Sequence, residues 1–202
     1  MLSNKECQKK LAAMSPADFN DTYLFNDGNW YFEESPDGGQ FGDYHDFKKL
    51  VGKAFGIRPH GVVIVGSAKL GYSLSPPKKF KVFDDKSDID VAIVSAPHFE
   101  SIWEAVLHAH YSGVPIKKEE TIDGLLMDDI FRRFITLRED FEFVSNHLRD
   151  AQVLLGEVQK KVAAPLAISN TLKFRIYRDV DSLHSYHEWS TAKLVEELMK
   201  GS

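Results

Sequence analysis

The stretches Gly61-Val-Val-Ile-Val-Gly-Ser67 and Ser87-Asp-Ile-Asp-Val-Ala-Ile-Val94 decide the fold of this sequence. The first is a short β-branched run that ends abruptly at Gly66, and the second carries an apolar run directly after its first aspartate. Short runs of this composition, bounded by turn residues, are typical of strands that are buried on both faces. The two stretches therefore predict two strands of one short central sheet, each with polar residues at one end.

Alternation over Asn170–Arg178 predicts a third strand, and apolar residues at helical spacing predict several helices. Residues 121–162 are expected to be helical in at least two pieces, whereas residues 15–42 are expected to be irregular and to end in a turn at 36–39. Further helices are predicted over Asp43–Phe55, from Pro97 to His110, and over roughly Ser182–Met199.

This order of elements predicts an α+β fold, α/β-like in character, with a short central mixed sheet surrounded by helices. We expect a single domain over residues 1–202. It has a helical N-terminal extension to about residue 58 and a helical C-terminal part from about residue 121.

Composition narrows the class of protein. The chain has 202 residues, of which 43% are hydrophobic, so it can bury a sizeable core and is neither disordered nor a coiled coil. The net charge of −5 excludes recruitment of nucleic acid or anionic membrane by an overall positive field. Cys7 is the single cysteine, which excludes an intramolecular disulfide and favours a reducing compartment. With its polar start and no long apolar run, the sequence predicts a soluble, cytoplasmic protein that does not contact membranes.

Asp88 and Asp90 form the most informative pair of polar residues. Residues two apart on a strand point to the same face, with Cα atoms about 6.5 Å apart, while Ile89 between them faces the core. Two carboxylates this close repel each other unless a cation lies between them. Oxygen ligands of this kind suit Mg²⁺ or Mn²⁺. The alternative is a solvated turn that enters a strand, and the pair alone does not decide between them.

Gly66 and Ser67 have the composition of a phosphate-binding turn. A glycine lets the backbone approach phosphate without a Cβ clash, and the serine hydroxyl can donate a hydrogen bond. Lys69, two residues further along, is the lysine of this region that we expect to contact phosphate. Lys78, Lys79 and Lys81 form either a basic rim or a solvated loop. Neither the P-loop pattern nor the dinucleotide-binding pattern is present.

Together, Val63-Ile-Val-Gly-Ser-Ala-Lys-Leu-Gly71 and Ser87-Asp-Ile-Asp-Val-Ala-Ile-Val94 resemble the polymerase-β-like nucleotidyltransferase superfamily, over about residues 61–111. The resemblance implies that Gly66 and Ser67 bind the triphosphate and that Asp88 and Asp90 are catalytic residues that ligate Mg²⁺ or Mn²⁺. The small size is similar to that of the minimal bacterial nucleotidyltransferases of toxin–antitoxin and phage-defence systems, which suggests a partner protein of that kind.

Active members of the superfamily place a third carboxylate on a later strand beside the pair. Here the third predicted strand carries Lys173 and Arg175 where that acid is expected, and Asp179 at its end is our candidate for the third catalytic residue. Glu142 is a further candidate. Either Lys173 and Arg175 neutralise phosphate, or they form salt bridges with the aspartates of an inactive relative.

Three functions follow as hypotheses. The first is metal-dependent transfer of a nucleotidyl group from a nucleoside triphosphate to a hydroxyl of a protein, a nucleotide, a nucleic-acid end or a small molecule. The second is a catalytically weak or inactive module of the same fold that binds nucleotide or a partner protein. The third is metal-dependent phosphohydrolysis, in which water is the acceptor.

Overall fold

The computed structural model of the chain describes residues 3–35, 42–112, 128–137 and 157–200. Within these residues the fold is mixed α+β, with a short four-stranded sheet that has helices on both faces. The predicted fold class is thereby confirmed. The strands are β1 (Val62–Val65), β2 (Ile89–Val94), β3 (Phe134–Thr136) and β4 (Leu172–Tyr177).

The helices begin and end at residues that suit those positions. Asp43 caps the helix of residues 44–55 by accepting the N–H of Asp46, and Gly56 ends it at a positive φ of 66°. No helix in the described ranges is both long enough and apolar enough to cross a membrane. The helices are α1 (Asn4–Ala13), α2 (Pro16–Phe19), α3 (Trp30–Glu33), α4 (Tyr44–Phe55), α5 (Ser67–Leu70), α6 (Ala96–Tyr111) and α7 (Val180–Lys200). Shorter turns cover Asn20–Leu24, Pro59–Gly61, Pro76–Lys78, 128–131 and Gln159–Ala163.

The strand order is β1-β2-β4-β3, in which β2 pairs parallel with β4 and the two outer pairs are antiparallel. One face, which includes Val91, packs in a core with α4 and α6, and the other, which includes Ala92, packs with α1, α2 and α7. Asp90 is exposed, whereas the other residues of β2 are buried or nearly buried. The sheet therefore holds one charged residue of β2 at the end where the strand begins.

The structure differs from the sequence prediction in two regions. Residues 134–136 form β3 where we expected helix, because they add an antiparallel edge to β4. Residues 16–24 and 30–33 are helical where we expected irregular structure, and Ser15 caps α2 directly before Pro16. The predicted turn at 36–39 and most of the predicted helical region 121–162 lie outside the described residues.

Side chains cover one backbone N–H on each outer edge of the sheet. The Tyr44 hydroxyl accepts a hydrogen bond from the N–H of Ile64 on β1 at 2.9 Å, and the Asp129 carboxylate accepts one from Thr136 on β3 at 3.3 Å. Burial raises the pKa of Tyr44 to about 12, so its hydroxyl stays neutral. An exposed strand edge invites pairing with another chain, and these contacts reduce that risk.

We expect Tyr44→Phe to lower the free energy of unfolding by about 1–3 kcal/mol, because the N–H of Ile64 loses its acceptor. Urea denaturation measures the change. Tyr23→Phe is the matched control, since its hydroxyl bonds to no residue in the described part of the chain. Equal losses in the two variants would show that the Tyr44 hydroxyl does not protect the strand edge.

Candidate functional site

Gly66 and Asp90 lie against each other where two paired strands meet. Antiparallel pairing of β1 with β2 places Val65 opposite Asp90, and Gly66 follows directly. A Cβ atom on Gly66 would lie 3.1 Å from Asp90 Oδ2, which is tighter than nearly all real Cβ contacts. A side chain here would require the carboxylate to shift by a few tenths of an ångström, and the φ of 69° independently favours glycine. The structure thus brings the two sequence motifs together at one end of the sheet.

The turn after β1 exposes donors to this end of the sheet. Gly66 has φ 69° and ψ −143°, a backbone conformation that is nearly restricted to glycine, and α5 begins at Ser67. The first N–H groups of a helical turn have no acceptor within the turn, so that of Ser67 is available to an anion. The half-exposed Ser67 hydroxyl makes no hydrogen bond to another residue in the ranges described.

The Asp90 carboxylate lies in a strongly electrostatic environment. Burial raises its pKa, as does the Asp88 carboxylate to a smaller extent, while Arg175 and Lys173 act in the opposite direction. Asp90 nevertheless keeps more than a third of its surface accessible. The Asp90 carboxylate is thus partly surrounded by protein atoms and remains accessible to solvent. A cation that binds there would relieve the repulsion between the two carboxylates.

Lys173 occupies the position beside the aspartates. Parallel pairing of β2 with β4 places Lys173 next to Asp90. Its Nζ lies 2.6 Å from Asp88 Oδ2, in an ion pair whose side chains are 56% and 35% exposed, respectively. A lysine therefore lies where the resemblance to nucleotidyltransferases leads us to expect a third carboxylate.

Arg175 lies further along the same face of β4 and is held by aromatic rings. Its guanidinium lies 4.7 Å from the ring centre of Phe134 and 4.9 Å from that of Tyr186, and Nη1 donates to the Tyr177 hydroxyl at 3.3 Å. Cation–π contacts of this kind fix a guanidinium in place. Arg175 thus provides a positive charge near Asp90 that these contacts hold in place.

Asp179 is not brought to the pair, which corrects the expectation that it is the third catalytic residue. Parallel pairing aligns Asp90 with Lys173, and Asp179 follows six residues later, roughly 20 Å further for an extended chain. Its Oδ1 accepts hydrogen bonds from the Ser182 N–H, at 2.8 Å, and from the Ser182 hydroxyl at the start of α7. Asp179 is therefore a helix cap. Glu142, the other candidate, lies outside the described residues.

Lys69 also departs from the role expected of it. Its side chain is 1% exposed and points into the N-terminal segment instead of toward phosphate. The ammonium donates to the backbone oxygen of Asn26 at 2.6 Å, to Asn26 Oδ1 at 2.8 Å and to the backbone oxygen of Gly28. Lys69 thus ties the phosphate turn to residues 26–28, and no part of its ammonium is left for a ligand.

The lysine-containing segment between the two motifs is anchored by its aromatic residues. Phe80 and Phe83 are buried, and backbone hydrogen bonds join Ser73 to Phe80 and to Lys81. Lys78 lies near enough to Asp90 to oppose the rise in its pKa. The segment therefore places Lys78 in the electrostatic field of the site.

Sequence reasoning missed Asn170, which positions the chain before Asp88. Its side chain is 2% exposed, and Nδ2 donates to the backbone oxygens of Asp84 at 3.2 Å and Ser87 at 2.9 Å. The only sequence signal is an amide residue just before the third predicted strand. Asn170, just before β4, thus holds in place the segment that leads to Asp88.

The carboxylate pair fits a divalent ion that binds together with phosphate. Asp88 and Asp90 offer the oxygen ligands that Mg²⁺ and Mn²⁺ prefer. Across the described ranges, no group of three or more His, Cys, Asp or Glu side chains is arranged to hold a metal. Mg²⁺ commonly takes one or two carboxylates and completes its shell with water and substrate phosphates.

Comparison of the chain with protein-family models, curated proteins and solved structures gave no match. The relation to nucleotidyltransferases therefore remains a prediction from the two motifs.

We expect Gly66→Ala to lower the free energy of unfolding by about 1–3 kcal/mol, because its backbone conformation is strained for any other residue. The added methyl group would also press on Asp90. Gly56→Ala is the matched control, since Gly56 has φ 66° and nothing within 4 Å of the added Cβ. Urea denaturation of both variants should show the larger loss at Gly66. A larger loss at Gly56 would contradict the close approach to Asp90.

We expect Lys69→Met to lower the free energy of unfolding at pH 7 by about 1–3 kcal/mol, because the hydrogen bonds from this buried ammonium to Asn26 and Gly28 are lost. Burial lowers the pKa of Lys69 to about 8, from an ordinary value of 10.5. Between these two pH values the unfolded chain binds more protons at this lysine, so rising pH stabilises the wild type relative to Lys69→Met. Urea denaturation from pH 7 to 10.5 should therefore show a widening difference. A difference that narrows with pH would contradict the buried ammonium.

Proposed function

We propose that this protein binds a divalent metal–nucleoside triphosphate complex at the Gly66-Ser67 turn and the Asp88–Asp90 pair. The observation that carries the proposal is the contact of Gly66 with the Asp90 carboxylate at the ends of two paired strands. A phosphate-binding turn and a metal-binding carboxylate pair must be adjacent if one ligand is to contact both. The site resembles that of the polymerase-β-like nucleotidyltransferases in this respect.

Each group of the site has a defined part in this binding. The Ser67 N–H and hydroxyl donate to phosphate oxygens, and Gly66 lets the phosphate approach the backbone. Asp88 and Asp90 hold the divalent ion, which supplies positive charge to the phosphate oxygens. Arg175 adds a fixed positive charge from behind Asp90.

The residue at the place expected for the third carboxylate favours binding over catalysis. Nucleotidyl transfer needs a group that accepts the proton of the incoming hydroxyl, and a carboxylate beside the metal pair is suited to that task. Here Lys173 lies in that position, and Asp179 lies at the far end of β4. We therefore place a nucleotide-binding module of weak or no catalytic activity ahead of an enzyme. Its natural partner would be a protein, as in the toxin–antitoxin and phage-defence systems that contain small relatives of this fold.

Metal-dependent nucleotidyl transfer is the second candidate. The intact carboxylate pair beside the glycine turn favours it, because these groups bind the metal and the leaving phosphates in either case. The ion pair of Lys173 does not exclude it, since half-exposed pairs contribute only about 0–1 kcal/mol and are readily exchanged. The hydroxyl acceptor would be a protein side chain, a small molecule, a nucleotide or a nucleic-acid end.

Calorimetry with Mg²⁺ and a nonhydrolysable nucleoside triphosphate tests the site. We expect the double variant Asp88→Asn with Asp90→Asn to lose metal-dependent triphosphate binding, because it removes the charge that holds the ion. Asp128→Asn with Asp181→Asn is the matched control, as it removes the same charge from the helical turn at 128–131 and from α7. Undiminished affinity in the Asp88 and Asp90 variant would place the nucleotide elsewhere.

Incubation of the wild type with each labelled triphosphate and Mg²⁺ or Mn²⁺ separates the candidate functions. Binding without turnover is the outcome we expect for a module. Pyrophosphate release with a labelled adduct would establish transfer, and metal-dependent release of free nucleotide would establish hydrolysis.

A further inference from the structure

Lys173 differs from Arg175, the other cation of β4 near the aspartates, in its freedom to move. Its ammonium contacts Asp88 alone among the side chains of the described residues, and more than half of its side chain is exposed. The Arg175 guanidinium, by contrast, is held against the rings of Phe134 and Tyr186. A lysine has a flexible four-carbon stem, so its ammonium can reach a new partner without any change in the backbone.

The Asp88–Lys173 pair is also weak enough to be exchanged. Ion pairs with this degree of exposure contribute little to the stability of a fold. A divalent ion carries twice the charge of the ammonium and interacts with Asp88 and Asp90 together. Lys173 and a divalent ion therefore compete for the same carboxylate, and an ion that binds alone leaves the ammonium close to a second positive charge.

We propose that Lys173 is an exchangeable counter-ion that leaves Asp88 and contacts a phosphate oxygen when a metal–polyphosphate complex binds. The inference rests on the proposed function and specifies its ligand. Because the ammonium moves from one anion to another, it opposes a free divalent ion and favours the same ion in complex with polyphosphate. Binding of the metal and binding of the phosphate are thereby coupled through one side chain.

The ligand class follows from the number of anionic groups that the site can contact. In the proposed complex, one phosphate would bind at the Gly66-Ser67 turn with the metal, and Lys173 would contact another. A nucleoside diphosphate or triphosphate provides both groups, whereas a monophosphate provides one. The site is therefore selective for polyphosphates over monophosphates.

The test compares the wild type with Lys173→Met in two titrations, one with Mn²⁺ alone and one with a nonhydrolysable triphosphate at saturating Mn²⁺. We expect Lys173→Met to bind Mn²⁺ alone up to about fivefold more tightly, because the competing ammonium is gone. We expect the same variant to bind the triphosphate about tenfold more weakly, because a charged hydrogen bond to phosphate is lost. Opposite changes in the affinities for Mn²⁺ and for the triphosphate distinguish the exchange of Lys173 from a general effect of charge.

Two further variants complete the design. Lys86→Met is the matched control, since it removes the same charge from an exposed lysine in the loop before β2, and we expect both affinities to stay near those of the wild type. Lys173→Arg retains a cation at the position, and we expect it to restore most of the triphosphate affinity. Urea denaturation confirms that each variant is folded.

The outcomes separate this inference from the proposed function. If the wild type binds the triphosphate and Lys173→Met changes both affinities in the same direction or neither, the exchange is refuted while the function stands. If Lys86→Met also binds Mn²⁺ more tightly and the triphosphate more weakly, the effect is caused by net charge, and the exchange is likewise refuted. If the wild type binds no triphosphate at saturating metal, both the function and the exchange are refuted.

Discussion

The antiparallel pairing of Val65 with Asp90 is the constraint on which the candidate site depends. It places the last residue of β1 opposite the exposed aspartate of β2, so the chain must turn at Gly66 directly beside a carboxylate. Any side chain at position 66 would fill the space between the turn and Asp90. A one-residue shift of β1 would exchange its two faces and remove this contact.

Two polar contacts hold the segments that present the site. The buried Lys69 ammonium ties the turn after β1 to Asn26 and Gly28, and the Asn170 amide ties the approach to β2 to the start of β4. Both donor side chains are buried, where an unpaired polar group is costly. The geometry of Gly66 and Asp90 thus depends on contacts with the N-terminal segment and with β4, in addition to the pairing of β1 with β2.

Local pattern was enough to predict the sheet strands that carry the motifs. The β-branched run before Gly66 and the alternation after Asn170 are properties of a few consecutive residues, and β1, β2 and β4 lie where these patterns are. Only the resemblance to a known family implied that Gly66 and Asp90 lie next to each other. The direction of Lys69 and the position of Asp179 depend on tertiary contacts. A lysine beside a glycine turn is equally able to reach phosphate or neighbouring carbonyl groups, and spacing along the chain does not distinguish these. The parallel pairing that separates Asp179 from Asp90 has no signal in either strand alone.

The balance of charge predicts that a metal alone binds weakly at the proposed site. Among the described residues, Lys78, Lys173 and Arg175 act on the Asp90 carboxylate, together with the carboxylate of Asp88. Three cations therefore face two carboxylates, and a bare divalent ion would add positive charge to a region that already has more of it than negative charge. A metal–polyphosphate complex carries both positive and negative charge. Its metal would bind the aspartates, and its phosphates would bind the lysines and the hydrogen-bond donors of the turn. The same residues that weaken the case for catalysis, above all Lys173 in place of an acid, thus strengthen the case for a polyphosphate ligand.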